Sequence, residues 1–330
     1  MDLQAAKSLV LAHHAALDEA RPGEAREALG RHCAEGLTWM GVHPWHELAG
    51  LDALAAGFWE PLREAMAPLQ RRPDIFMAGH QAGYAMPGTW VCEMGHLLGL
   101  FDRPFLGIPP TRKAAFLRYC EWSRVEEGRI VDQALFLDLD FLLAQAGRFP
   151  YGWTTGAVLL TPGPRTHDGL LLSPRAPEEG AATLGLIDRM VERLVGRGVR
   201  TTAEDLAADW DPGMLWWGPS GIGASYTHDR YLEQHCRPFE AGIEMVRHDG
   251  HETRIGEGAF GGFFGYPSLI CRSTGGYLGA ASALDRPVEM RIVDLYRREG
   301  DRLAENWIFI DHPWVLAQLG NHLLGRMVSP

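Results

Sequence analysis

Residues 290 to 311, MRIVDLYRREGDRLAENWIFID, alternate apolar and polar positions on both sides of a polar turn at Arg298–Asp301. That period of two predicts an antiparallel hairpin. Arg291, Val293, Leu295 and Arg297 share one face of the first strand, and Ile292, Asp294 and Tyr296 share the other. On the returning strand Trp307, Phe309 and Asp311 share a face, as Ala134, Phe136 and Asp138 do in a similar stretch upstream. Each hairpin runs into a short helix, PWVLAQLG or DFLLAQAG, with glycine at the stop. Helical openings are predicted over 3–34 and about 177–197, where Pro and two acids in SPRAPEEG suit a helix start. A Trp-bearing strand follows each (LTWMG, MLWWG), then a second helical stretch (LDALAAGFWEPLREAM, HDRYLEQHCRPFEAGI), then strands broken by Gly and Pro.

The pattern is written twice. At a shift of 173, Arg118 falls on Arg291, Phe136 on Phe309, Asp138 on Asp311 and Gln145 on Gln318, with ten identities across 118–147. Chance composition would give about two. Glu121 with Asp294, Asp132 with Glu305 and Gln133 with Asn306 are alike in kind. The front of each half matches at a shift of 177: Trp39 on Trp216, Gly41 on Gly218, Pro61 on Pro238, Gly79 on Gly256. Two α+β domains are therefore expected, residues 1–150 and 177–330. Residues 151–176, rich in Gly, Pro and Thr, read as the linker.

Bulk properties narrow the partners. The net charge of -11 argues against nucleic acid and against an anionic membrane surface. Five scattered cysteines without a C-x-x-C fit a reduced, cytoplasmic protein. The N-terminal stretch reads as an amphipathic helix rather than a signal peptide, and no run reaches the roughly 18 apolar residues of a membrane span. Glycine-rich phosphate loops and the G-x-S-x-G elbow are absent.

WWGPSGIG at 216–223, the hairpin RIVDLYRREGDRLAENWIFID and the closing VLAQLG resemble the SnoaL-like polyketide cyclase (ester cyclase) group of the nuclear transport factor 2-like superfamily. In the first half the matching pieces are GIPPTRK at 107–113, RVEEGRIVDQALFLD and LLAQAG; the second has GAASALDRP where the first has GIPPTRK. The resemblance implies two tandem cone-shaped α+β barrels, each a curved antiparallel sheet wrapped around helices with a pocket at the open end. It implies no metal and no organic cofactor. It also implies a pocket carboxylate that removes and returns a proton beside a carbonyl. The aspartate of a W-x-x-x-D pattern carries that role, which here is Asp311 after Trp307; the first half keeps Asp138 but has Ala134 for the Trp.

Each candidate has two readings. Asp311, on an apolar strand face, suits a general base with a raised pKa, or it caps the helix that Pro313 begins. In the first half Asp140 is placed to cap, which leaves Asp138 for the pocket. Arg291 and Arg118 either hold an enolate or pair across the strands with Glu305 and Asp132. Trp39, Trp216 and Trp217 suit an aromatic pocket wall or a core. His43 with His46 and His248 with His251 sit three apart without a third ligand nearby in sequence; His251 and His43 are candidate proton partners. The expected function is a cofactor-independent isomerase, cyclase or lyase on a small carbonyl compound. Asp311 and Asp138 are its acid/base residues, and Trp216, Trp307, Arg291, His251, Trp39, His43 and Arg118 shape the pockets. The alternative is a non-catalytic small-molecule binder or scaffold. Two such cones are expected to pack as an internal pseudo-dimer, with room for a further homodimer.

Overall fold

A computed structural model describes residues 2–149, 151, 154–279 and 286–326. The first half runs α1 (Leu3–Glu19), α2 (Ala25–His32), β1 (Cys33–Gly41), β2 (Glu47–Ala49), α3 (51–65), β3 (Leu69–Gln81), β4 (Gly88–Leu100), β5 (Ala114–Glu126), β6 (Arg129–Leu137) and α4 (Leu139–Gln145). Its sheet has the order β2-β1-β6-β5-β4-β3 and is antiparallel except where β1 pairs with β6.

The second half repeats this with α5 (Pro177–Gly196), α6 (Ala203–Asp209), β7 (Trp210–Trp217), β8 (Ala224–Tyr226), α7 (227–242), β9 (Ile243–His248), β10 (Thr253–Glu257), β11 (Phe260–Ser273), β12 (Val288–Glu299), β13 (Arg302–Ile310) and α8 (His312–Gln318). Its order is β10-β11-β12-β13-β7-β8, again with one parallel pair, β13 with β7. β9 and β10 both pair with β11, so together they take the place of β3, which shifts register between Pro73 and Ile75. Helices α3 and α7 each contain one π-helical turn, at Ala55–Trp59 and Leu232–Cys236, which coincide at the 177-residue shift. Residues 280–285, most of the GAASALDRP segment, lie outside the described residues.

The expected hairpins form in register, with Leu295 opposite Trp307 and Glu121 opposite Leu135. Each sheet is buried on both faces. One face lies under its own helices: Tyr119, Glu121 and Ser123 in the first half, Ile292, Asp294 and Tyr296 in the second. The other face meets the other half. Phe264 of β11 sits among Trp90, Trp122 and Phe136 at centroid distances of 5.5, 5.4 and 6.1 Å. Val293, Leu295, Trp307 and Phe309 join the same cluster. Burying wide apolar faces of this kind on both sides is what holds the halves together.

The connecting segment is not a loose linker. Ala157 bridges Ala224, Leu170 bridges Phe76, and the carbonyl of Leu171 accepts from buried Lys7, which also pairs with Glu257 at 2.5 Å. It straps the edges of the two sheets. No helix among the described residues is long and apolar enough to cross a membrane.

Candidate functional site

The two recurring aspartates face the seam between the halves rather than a cone interior. Asp311 caps α8: its Oδ1 accepts from the Trp314 N–H at 3.2 Å. Its Oδ2 accepts from the His43 N–H at 2.9 Å, across the seam. Asp138 does the same for α4, with the Phe141 N–H at 3.0 Å and the Ser220 N–H of the other half at 2.9 Å. Ser220 is the 177-shift counterpart of His43, so the two contacts form a pseudo-symmetric pair of latches. Asp138, not Asp140, is the cap. Asp140 instead accepts from Tyr151 at 2.5 Å and faces His312 Nδ1 at 3.1 Å.

Burial raises the pKa of Asp311 to about 6 against the pull of Arg291 and the two N–H donors. Asp138 is likewise raised by burial and by Asp140. Both carboxylates are satisfied by the backbone, as capping requires.

The arginines share this seam. Arg118 donates to the carbonyls of Ile308, Trp217 and Gly218 at 3.2, 3.2 and 3.4 Å and lies 4.1 Å over the Phe309 ring. Arg291 reaches His46 Nδ1 at 3.0 Å and Asp311 at 3.5 Å, and lies 4.0 Å over Tyr266. Neither makes the cross-strand pair expected: Asp132 pairs with Arg124 and Glu305 with Arg297. Trp307 is sealed in the seam and donates to the Pro162 carbonyl at 3.0 Å. His43, its pKa pushed down to about 4 by burial and then by His46, faces His46 at 3.1 Å beside Trp314. These side chains are brought together, but as a domain interface, which corrects their expected place in a pocket.

The cone interiors belong to the opposite strand faces, and the two interiors differ. In the first, Trp39 packs on Phe58 at 5.1 Å, with Gly41 leaving room for the folded-over indole: a Cβ there would fall 2.2 Å from the ring. Glu121 pairs with His14 at 2.6 Å, and Glu93 accepts from Tyr119 at 2.6 Å and Arg71 at 3.2 Å. Burial favours the neutral carboxyl, but the charge and hydrogen bond of His14 outweigh it and hold Glu121 down at about 2. Burial and Arg71 oppose a charge on His14, yet Glu93 and Glu121 raise it to about 9. The inner face is closed, with exposures of 0% at Tyr119, 3% at Glu121 and 2% at Leu135.

In the second half Trp216 stacks on His235 at 4.1 Å, His235 taking the position of Phe58. The inner strand faces keep accessible surface: 8% at Ile292, Asp294 and Ile308, and 6% at Ile310. Asp294 stands where Glu121 stands but, among the described residues, meets no cation. Its Oδ1 accepts from Asn306 Nδ2 at 2.9 Å, and Tyr296 hydrogen-bonds to it. Burial raises its pKa to about 7 against those two hydrogen bonds. Asn306 is fixed by a second bond to the Leu295 carbonyl at 3.0 Å and lies in register beside Trp216.

Beside His235 opens a cavity of about 270 Å3, lined by His235, Phe239, Tyr277, Leu278, Ile222 and several glycines, with Thr155 of the strap. No Asp, Glu, Lys or Arg is among its described lining residues. Burial lowers the His235 pKa to about 3, so the ring is neutral at pH 7, and its Nδ1 has no hydrogen-bond partner among the described residues. His251 stacks on Phe263 at 3.7 Å and accepts from Arg254 at 2.8 Å; burial and then Arg254 push it down to about 2. It stands at the wall of this cone, away from Asp311. Among the described residues no three of His, Cys, Asp and Glu stand together as a metal-ligand set.

No family model and no curated protein matches the chain. Solved structures resemble one half at a time. A provisionally named SnoaL-like polyketide cyclase from Jannaschia sp. CCS1 is 19% identical over 44% of this chain and 93% of its own, with a TM-score of 0.35. An NTF2-like protein from Burkholderia thailandensis E264 is 24% identical over 43% of this chain and 95% of its own, with a TM-score of 0.32. One from Burkholderia xenovorans LB400 is 18% identical over 44% and 98%, with a TM-score of 0.33. The chain itself carries one α+β layout twice in tandem.

Asp294, Asn306, Tyr296 and His235 were not selected from the sequence as site residues. The signal was present: Glu121 with Asp294 and Gln133 with Asn306 recur as polar residues on one strand face.

Proposed function

We propose that the second half is a cofactor-independent isomerase, cyclase or lyase that moves a proton on a carbon beside a carbonyl, with Asp294 as the acid/base group. The observation that carries this reading is a carboxylate with no cationic partner among the described residues, on the inner face of a cone that keeps accessible surface. A carboxyl near pKa 7 serves as base or acid at neutral pH. Ionised, it takes the proton from carbon, and the C–H electron pair moves into the carbonyl to give an enolate. A neutral imidazole is a hydrogen-bond donor that does not give up its proton readily, so His235 suits the enolate oxygen. The proton then returns to carbon, or the enolate closes a ring or expels a leaving group. Asn306 and Tyr296 hold the carboxylate in one orientation.

A second reading has its own support. The carboxylates of the W-x-x-x-D positions are bound to backbone, which favours a small-molecule binder without chemistry.

The deciding experiment incubates the protein with enolisable ketones, keto acids and lactones in heavy water and follows mass shifts. Exchange is expected in the parent and in Asp138→Asn, and is lost in Asp294→Asn. Exchange that survives Asp294→Asn refutes the assignment; ligand binding with no exchange in any variant favours the binder.

A further inference from the structure

We infer that residue 191 on α5 decides whether the inner carboxylate of a cone is free to act, and that its counterpart His14 is what closes the first half. The inference rests on the reading of Asp294 as the acid/base group, and it adds the residue that controls that group.

The two halves superpose residue for residue in sequence at a shift of 177 from α1 through β1, so His13 falls on Met190 and His14 on Val191. The strands extend the correspondence: Glu93 stands opposite Glu121, and Phe263 stands opposite Asp294. The same inner site is therefore built from His13, His14, Glu93 and Glu121 in one half, and from Met190, Val191, Phe263 and Asp294 in the other.

In the first half charged and polar groups surround Glu121, with Leu135 opposite it on β6. His14 touches both carboxylates at 2.6 and 3.3 Å; Arg71 reaches Glu93, and its Nε lies 3.7 Å from Asp18; Gln133 joins His13 to Ser123 at 3.2 Å each. An ion pair in a dry interior fixes the proton on His14 and leaves Glu121 a poor base.

In the second half α5 brings apolar residues, Met190 and Val191 among them, to the inner cluster, α7 brings Tyr231, β11 brings Phe263, and β12 and β13 bring Tyr296 and Asn306. Arg254 is engaged by Asp188 and His251. Without a cation in contact, Asp294 keeps the basicity that burial gives it.

The test places a histidine where the second half has none. Val191→His is made in the full chain, with Val191→Ile as a size control and Asp294→Asn to assign the resonance. The carboxyl carbon of Asp294 is titrated by 13C NMR, which does not depend on turnover. The midpoint near pH 7 is expected to fall below about 5 in Val191→His and to stay in Val191→Ile. The acid limb of the exchange-rate profile should move with it, and the rate at pH 7 should drop at least about fivefold.

An unmoved midpoint in a folded Val191→His protein overturns the inference. The reverse change, His14→Gln, should raise the Glu121 midpoint from about 2 toward the ordinary carboxylate range or above; an unchanged Glu121 also overturns it. If the midpoints move as expected while the parent exchanges no ketone, the catalytic reading fails and the control by residue 191 stands.

Discussion

Replacing Asp294 by Asn gives a sharp test of how the second cone is built. The carboxyl titrates near 7 where an ordinary aspartate titrates at 3.8. At about 1.36 kcal/mol per pH unit, ionising it in place costs up to ~4 kcal/mol of folding stability. The folded pKa is the raised one. The favourable contribution is therefore complete below about pH 4, is lost as pH rises toward 7, and is gone above it. Asn does not titrate, and its carbonyl can still accept from Asn306. The other raised carboxyls, Asp311 and Asp138, are present in both proteins and cancel in the difference. Urea unfolding at half-unit steps from pH 4 to 8.5 measures it. Relative to the parent, Asp294→Asn should gain stability steadily up to about pH 7 and level off after that. A difference that is flat with pH would mean that Asp294 is solvated or paired, and the argument for its basicity would fall.

Other consequences are as direct. Asp311→Ala removes a helix cap and strands the His43 N–H, so it should cost about 2–4 kcal/mol, read by chemical denaturation, while Asp311→Ala protein that remains folded still exchanges ketone protons. Ala241→Phe places a ring in the 270 Å3 cavity; it should abolish ligand-induced thermal shifts without lowering the melting temperature by more than a few degrees. Glu257→Gln leaves Lys7 buried without its counter-ion and should destabilise by about 3–5 kcal/mol, measured by urea unfolding.

Much of the fold was legible because local pattern dictates it. The alternation around Arg298–Asp301 produced the β12–β13 hairpin, and Pro313 after Asp311 produced a capped α8. Gly41 and Gly218 sit two residues past a tryptophan for a reason the structure supplies: the indole folds back over them. What could not be read was which strand face looks inward. Alternation gives two faces but does not say which one a helix covers. Here both are covered, since one meets helices and the other meets the second sheet. The face bearing Trp307, Phe309 and Asp311 is the more apolar, and it became the seam. The polar pairs Glu121/Asp294 and Gln133/Asn306 lay on the true inner faces. Asp138 shows a smaller version of the same limit: of two aspartates two residues apart, the sequence favoured Asp140 as the cap, and the Phe141 N–H bonds to Asp138 instead.

The strap from 154 to 176 has a consequence beyond bridging two sheet edges. In a two-fold homodimer every substitution is written on both sides of the interface, so a residue that closes one pocket closes its twin. Here the two partners occupy separate stretches of one chain. His14 can therefore close one interior with a salt bridge while Val191, at the matching position, brings no such charge to the other. Under the proposed function the sealed cone need hold no ligand and is free to be optimised as a rigid wall for its neighbour. Joining the copies is what makes that division of labour heritable.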